Sequence, residues 1–191
     1  PYFHKVLEFR ELWLSGKQNF LIQTSGSTGI PKQISLTRRQ ILASVKMTQK
    51  AFDLKQGDTA FCCLNFEYIA GMMMLVRAIE IGMDLIVVEP SSNPFESLGN
   101  QQYLLNASKQ KNFFAFVPLQ MEQIVENPLL NSAKAIIIGG ANISNNLLGK
   151  IQNIYSPVYA TYGMTETISH IAIKRLNGIE NSTNFEVLEG V

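Results

Sequence analysis

Cysteine is scarce in this chain: two in 191 residues, Cys62 and Cys63, side by side in the apolar run Phe61-Cys62-Cys63-Leu64. Neighbours in such a run read as small buried hydrophobes rather than as a disulfide or a metal pair, which argues against a disulfide-stapled scaffold and favours a reducing, cytoplasmic setting. Histidine is just as rare. His4 and His170 stand alone and far apart, so the sequence shows no histidine metal constellation, and each reads as a surface or hydrogen-bonded residue. An excess of one charge is also missing: 16 Lys and Arg against 15 Asp and Glu leave +1. That removes broad electrostatic attraction to nucleic acid or to an anionic membrane. No long uninterrupted apolar run is present, because 69–88 contains Arg77, Glu80 and Asp84, which a membrane-spanning helix would have to bury. There is no internal repeat and no low-complexity tract, and the first residues lack the basic start and apolar stretch of a signal peptide.

What is present suits a globular protein of one or two domains: 46% hydrophobic and 16% charged residues. The most informative stretch is Thr24-Ser25-Gly26-Ser27-Thr28-Gly29-Ile30-Pro31-Lys32, directly after Phe20-Leu21-Ile22. Hydroxyls and glycines give a backbone that can bend and present N–H groups to an anion, and Lys32 adds a full positive charge. A Walker A loop needs the glycine and lysine adjacent, with a helix starting there. Here Ile30-Pro31 separates Gly29 from Lys32, and Gln33-Ile34-Ser35-Leu36 alternates like a strand. The loop therefore joins strand to strand.

Apolar spacing predicts a helix at 5–14, with Val6, Leu7, Phe9, Leu12 and Trp13 on its inner face and Gly16 as its stop. Thr37 is placed to cap a helix reaching about Phe52. Beyond it, short apolar runs (59–64, 85–89, 113–117, 135–138, 157–161) alternate with helical stretches (70–81, 98–110, 119–125, 145–152). Continuous apolar strands between helices predict an α/β fold, with a mainly parallel sheet covered by helices on both faces. Residues 168–175 and 185–188 read as strands with no helix between, an antiparallel end at which a small β subdomain could begin. In a parallel sheet the ligand site lies beyond the carboxyl ends of the strands. Both Gly139-Gly140-Ala141 and Tyr162-Gly163-Met164-Thr165-Glu166-Thr167 follow predicted strands, so one crevice can hold both.

In this order, the Thr24–Lys32 loop, the Gly139–Ala141 turn and the Tyr162–Thr167 segment resemble the signatures of the adenylate-forming superfamily, whose members include acyl- and aryl-CoA ligases, luciferases and peptide-synthetase adenylation domains. The resemblance implies ATP, Mg²⁺ and CoA as reactants or cofactors and a small carboxylate as substrate. It implies that Thr24, Ser25, Gly26, Ser27, Thr28, Gly29 and Lys32 wrap the β- and γ-phosphates. Gly163, Met164 and Thr165 would line the nucleotide, with Thr165 donating to an α-phosphate oxygen, and Glu166 would help hold Mg²⁺. Tyr162 would stack on adenine, and Gly139, Gly140 and Ala141 would let it lie close to the backbone. On the residues alone, Glu166 also reads as a solvated turn carboxylate, Tyr162 as a core aromatic, and Gly139-Gly140 as a plain turn.

Within the superfamily, Asn65-Phe66-Glu67-Tyr68-Ile69-Ala70-Gly71 departs from the common substrate segment: Asn65 and Tyr68 stand where Pro and His are usual. It resembles the shorter form found in o-succinylbenzoate–CoA ligases of menaquinone biosynthesis. That resemblance puts Tyr68, Gly71 and Arg77 near the acid, with Arg77 holding the spectator carboxylate of a dicarboxylate substrate; the plainer reading pairs Arg77 with Glu80 on a helix surface. Other aryl- or acyl-CoA ligases, a peptide-synthetase adenylation domain and a non-catalytic nucleotide-binding module are the alternatives. The resemblance covers a partial N-terminal adenylation domain. The ribose-binding aspartate and the lid domain with its catalytic lysine are not among these residues, and neither Lys150 nor Lys174 is placed to be that lysine. Residues 1–191 alone are therefore expected to be nearly inactive in adenylation.

Overall fold

In the computed structural model of the protein, residues 2–23, 32–107 and 110–191 are described. Helix α1 (Tyr2–Leu14) leads into strand β1 (Asn19–Gln23), which pairs antiparallel with β2 (Gln33–Thr37), from Asn19↔Thr37 to Gln23↔Gln33. The hydroxyl-rich loop thus leaves one strand of a hairpin and re-enters the other. Thr37 caps α2 (Arg38–Ala51) in a reciprocal box: its hydroxyl accepts from the Gln40 N–H at 3.3 Å, and the Gln40 side-chain oxygen accepts from the Thr37 N–H at 2.9 Å.

Then come β3 (Thr59–Cys62), α3 (Ile69–Ile81), β4 (Asp84–Val87), α4 (Tyr103–Ala107), β5 (Asn112–Phe116), α5 (Pro118–Ile124), β6 (Ala133–Ile138), α6 (Asn145–Ile151), β7 (Val158–Gly163), β8 (His170–Arg175) and β9 (Glu186–Val187). The larger sheet has the order β4-β3-β5-β6-β7-β8-β9. Its first five strands are parallel; β8 and β9 are added antiparallel at the β7 edge. The antiparallel segment expected after residue 168 is therefore hydrogen bonded to the main sheet.

Strand side chains alternate between two apolar layers, as a period of two requires. Ala60, Cys62, Phe113, Ala115, Ala135 and Ile137 face α1, α2 and α3, where Trp13, Ile41 and Met72–Met74 are wholly buried. Phe61, Cys63, Phe114, Phe116, Ile136 and Ile138 face the other layer, with Phe95, Met121 and Ile151. Burial on both faces is why these strands are continuously apolar in sequence. At the amino ends of the strands, Lys134 Nζ lies 2.8 Å from the buried Asp58 carboxylate and also donates to the Asp53 carbonyl.

Two expectations are corrected. The apolar face of α1 is narrower than its spacing suggests, because Leu7 and Leu12 are 58% and 40% exposed. The helix expected at 98–110 is instead a 3₁₀ stretch, Glu96–Gln102, interrupted at Gly99 (φ 50°), followed by the short α4. Among the described residues, no helix is long and apolar enough to cross a membrane.

Candidate functional site

β6 and β7 run side by side in parallel, Ile138 opposite Ala160, so the segments that follow them open at the same end of the sheet. Between them lies a cavity of about 600 Å³. Gly140 and Ala141 line it from one strand end, and Thr161, Tyr162 and Gly163 from the other. The two segments that the sequence separates by twenty residues therefore share one wall. Gly139 sits just behind it: a Cβ there would collide with Thr161 Oγ1, which donates to the Ile138 carbonyl at 3.2 Å. Gly140 has φ +88°, a backbone that disfavours any side chain. Glycine at both positions keeps that wall flat.

The lining residues absent from the sequence expectation include two from the antiparallel return. Lys174 on β8 is the register partner of Ala160, and Phe185 precedes β9. The Phe185 ring lies 6.0 Å from the Tyr162 ring at 59°, and Lys174 Nζ sits 5.2 Å from its centroid. The small side chain of Ala160 opposite Lys174 was the available signal, but reading it requires the β7–β8 register.

Tyr162 is 54% exposed and so is not a core aromatic. Beyond it, Thr165–Thr167 forms a single 3₁₀ turn with Glu166 exposed. The Met164 N–H donates to Thr167 Oγ1 at 2.9 Å, and the Thr167 hydroxyl lies 2.8 Å from the Ser169 carbonyl. Ile168 closes this turn at φ +70°, a region a β-branched residue rarely occupies, so the signature ends on a strained position.

On α3, Tyr68 is the exposed N-cap, and Gly71 is buried where a Cβ would collide with the Asn65 carbonyl. Arg77 differs from the surface reading. Glu80 is taken by Trp13 Nε1 at 2.7 Å and by Arg38 at 3.3 Å, while Arg77 turns inward and is 2% exposed. Its Nη2 donates to Ser169 Oγ at 2.7 Å, and its buried Nε has no hydrogen-bond partner among the described residues. Burial pushes the guanidinium down to about 9, so it is still charged at neutral pH. The Arg77–Ser169 contact ties α3 to the segment that carries Tyr162–Glu166.

Lys32 stands just before β2 and is exposed. Thr24, Ser25, Gly26, Ser27, Thr28 and Gly29 lie outside the described residues. Among the described residues no group of three or more His, Cys, Asp or Glu is arranged to hold a metal. Glu166 therefore belongs to no such group among the described residues.

A sequence profile described as that of the AMP-binding enzyme matches residues 16–186. The 2-succinylbenzoate–CoA ligase of Lactococcus lactis subsp. lactis is 25% identical over 176 residues, covering 85% of this chain and 38% of the ligase. That of Bacillus cereus (strain AH820) is 28% identical over 153 residues, covering 79% and 31%. Among solved structures, an acyl-CoA synthetase (AMP-forming)/AMP-acid ligase II-like protein from Dyadobacter fermentans superposes with TM-score 0.88 at 42% identity, over 100% of this chain and 53% of that one. The o-succinylbenzoate coenzyme A synthetase of Bacillus subtilis, in complex with ATP and magnesium ion, shares the fold at TM-score 0.69 and 24% identity, over 81% and 32%. The chain therefore spans between about a third and about half of the length of these relatives. The profile match extends over most of the chain and the fold agrees with it: the chain belongs to the AMP-binding enzyme family.

Proposed function

We propose that this chain is the nucleotide-binding part of an AMP-forming acid–thiol ligase acting on o-succinylbenzoate. In the first step a carboxylate oxygen attacks the α-phosphorus of ATP and the bond to the β-phosphate bridge breaks, giving an acyl-adenylate and pyrophosphate. In the second, the CoA sulfur attacks the acyl carbon, its proton is lost, and AMP leaves with the carboxylate oxygen. The observation that carries this reading is the cavity shared by Gly140-Ala141 and Tyr162-Gly163 at the carboxyl ends of β6 and β7. Its flat glycine wall and exposed tyrosine face suit a planar base.

From there the turn Thr165–Thr167 leads outward, with Thr165 as donor to the α-phosphate and the Thr24–Lys32 loop as the cradle for the outer phosphates. Bringing a carboxylate to a triphosphate joins two anions, so Lys32 supplies the neutralising charge. Glu166 would hold a Mg²⁺ through its carboxylate, an ion that commonly takes one or two protein carboxylates together with substrate phosphates. When bound, Mg²⁺ screens the phosphate charge and eases departure of pyrophosphate.

The substrate assignment rests on Arg77. A buried guanidinium with no carboxylate partner among the described residues is costly unless an anion joins it. o-Succinylbenzoate has a second carboxylate to offer, and the two curated relatives described above are named for that acid. Tyr68 and Gly71 sit at the start of the same helix.

The test is an acid panel in ATP-dependent thioester formation with the full-length protein. Turnover of o-succinylbenzoate, with benzoate and fatty acids inert, is expected; the reverse pattern overturns the substrate assignment. In the same assay Lys32→Ala lowers turnover by about 100-fold or more. Unchanged turnover and ATP affinity would remove Lys32 from the phosphate site.

A further inference from the structure

Arg77 on α3, Ser169 before β8, His170 at the start of β8 and Thr48 on α2 form one unbroken line of hydrogen bonds. Arg77 Nη2 is 2.7 Å from Ser169 Oγ, which is 3.3 Å from His170 Nδ1. His170 Nε2 is 3.2 Å from Thr48 Oγ1, which is 3.1 Å from the Ser44 carbonyl oxygen. His170 and Thr48 are buried, and His170 is the strand partner of Gly163.

The proton directions follow from the two ends. A guanidinium only donates and a carbonyl only accepts. Thr48 has one hydroxyl proton, which goes to Ser44, so its oxygen accepts from His170 Nε2–H. Ser169 accepts from Arg77, so its own proton goes to His170 Nδ1, which must be bare. In the opposite direction, Arg77 and His170 would both aim protons at the Ser169 oxygen, and the Ser169 proton would have no acceptor on the line. The geometry points to Ser169, His170 and Thr48 as positioning residues: a one-way line that fixes the Arg77 guanidinium for the substrate's second carboxylate and holds His170 as the neutral Nε2–H tautomer. This inference rests on the reading that Arg77 meets that carboxylate.

Electrostatics agree with it. Burial, reinforced by the Arg77 charge, pushes His170 down to about 3. Among the described residues the charged group acting on His170 is Arg77 from α3, and Thr48 from α2, Ser169 beside it and the Phe52 ring, 6.1 Å between centroids, also meet it. An imidazolium would donate at both nitrogens and set a second positive charge beside the guanidinium. Keeping His170 neutral leaves Arg77 as the only cation in the line. His170, read from sequence as an isolated histidine, is thus internally satisfied, and its bonding gives it a role that sequence spacing did not show.

Two measurements on the full-length protein test this. In kinetics, Thr48→Val and Ser169→Ala each raise KM for o-succinylbenzoate about fivefold, the effect of one hydrogen bond, with kcat and the KM for ATP within about twofold. Because both cut one line, the double variant is no worse than about the larger single effect. Arg77→Gln raises the same KM by a larger factor. If Arg77→Gln weakens the acid but the two line variants do not, the positioning inference is overturned and the substrate reading stands. If Arg77→Gln leaves that KM unchanged, the substrate reading fails and the positioning role fails with it.

The second measurement needs no turnover. Nitrogen-detected NMR of histidine-labelled protein, with the His170 signal assigned as the one missing from a His170→Gln control, reports the tautomer. A neutral Nε2–H signal for His170 that holds from about pH 5 to about pH 8, where an unperturbed histidine changes charge, is expected. An Nδ1–H signal, or titration within that window, overturns the proton order.

Discussion

Two cations, Lys134 half-buried and Arg77 buried, stand at opposite ends of the parallel strands and are treated differently by the fold. At the amino ends, Lys134 has 21% side-chain exposure and meets the Asp58 carboxylate at 2.8 Å, with Asp53 at 3.8 Å. Near the carboxyl ends, Arg77 is 2% exposed, has a serine hydroxyl at 2.7 Å and leaves its Nε without a hydrogen-bond partner among the described residues. The more deeply buried charge is the less compensated one. A cation neutralised by the chain serves the fold. A cation desolvated without a counter-charge costs stability, and that cost is offset only when something anionic arrives.

The widest separation between the two comes from removing each charge while keeping volume. Arg77→Met in the full-length protein raises KM for the dicarboxylate by about 10- to 100-fold, the loss of charge-assisted hydrogen bonds, while thermal unfolding stays level or moves upward. A clear fall in thermal stability with unchanged KM would erase the contrast. Lys134→Met does the opposite. It leaves the buried Asp58 carboxylate with the Lys55 N–H but without its cation, and lowers unfolding free energy by about 1–2 kcal/mol in a denaturant titration, with KM values unmoved.

The last effect is a pH dependence. His170 has a folded value near 3 against an unfolded value of 6.5, so between those limits the unfolded chain binds more protons. Stability from this group is complete above 6.5 and is lost progressively as pH falls toward 3. Urea midpoints across that range show the decline. In Arg77→Met the decline ends at a higher pH and is smaller in total, because part of the depression comes from the Arg77 charge.

The uneven legibility of the sequence has a physical cause. The strand–helix alternation, the Thr37 cap and the meeting of Gly140 with Tyr162 depend on local pattern plus the rule that parallel strands open at one end, and these are present. Glu80 was a poor guide to Arg77, because Trp13 and Arg38, 67 and 42 residues away, claim its carboxylate. Lys174 and Phe185 reach the cavity through an antiparallel return whose register no short motif encodes. The 98–110 stretch reads as helix by its apolar spacing, yet Gly99 at φ 50° divides it. The hydroxyl-rich loop is framed by β1 and β2 as its flanking pattern suggests, although residues 24–31 lie outside the described structure.

The adjacent thiols Cys62 and Cys63 fall on opposite sides of the sheet, one in each apolar layer. Burial pushes Cys62 up to about 12 and Cys63 well above its ordinary value, so neither is a thiolate near neutrality. Each therefore behaves as a timer for its own half of the molecule, labelled by an alkylating reagent only when that half opens. Equal labelling rates would mean that the halves breathe together; unequal rates would reveal which one lets go first.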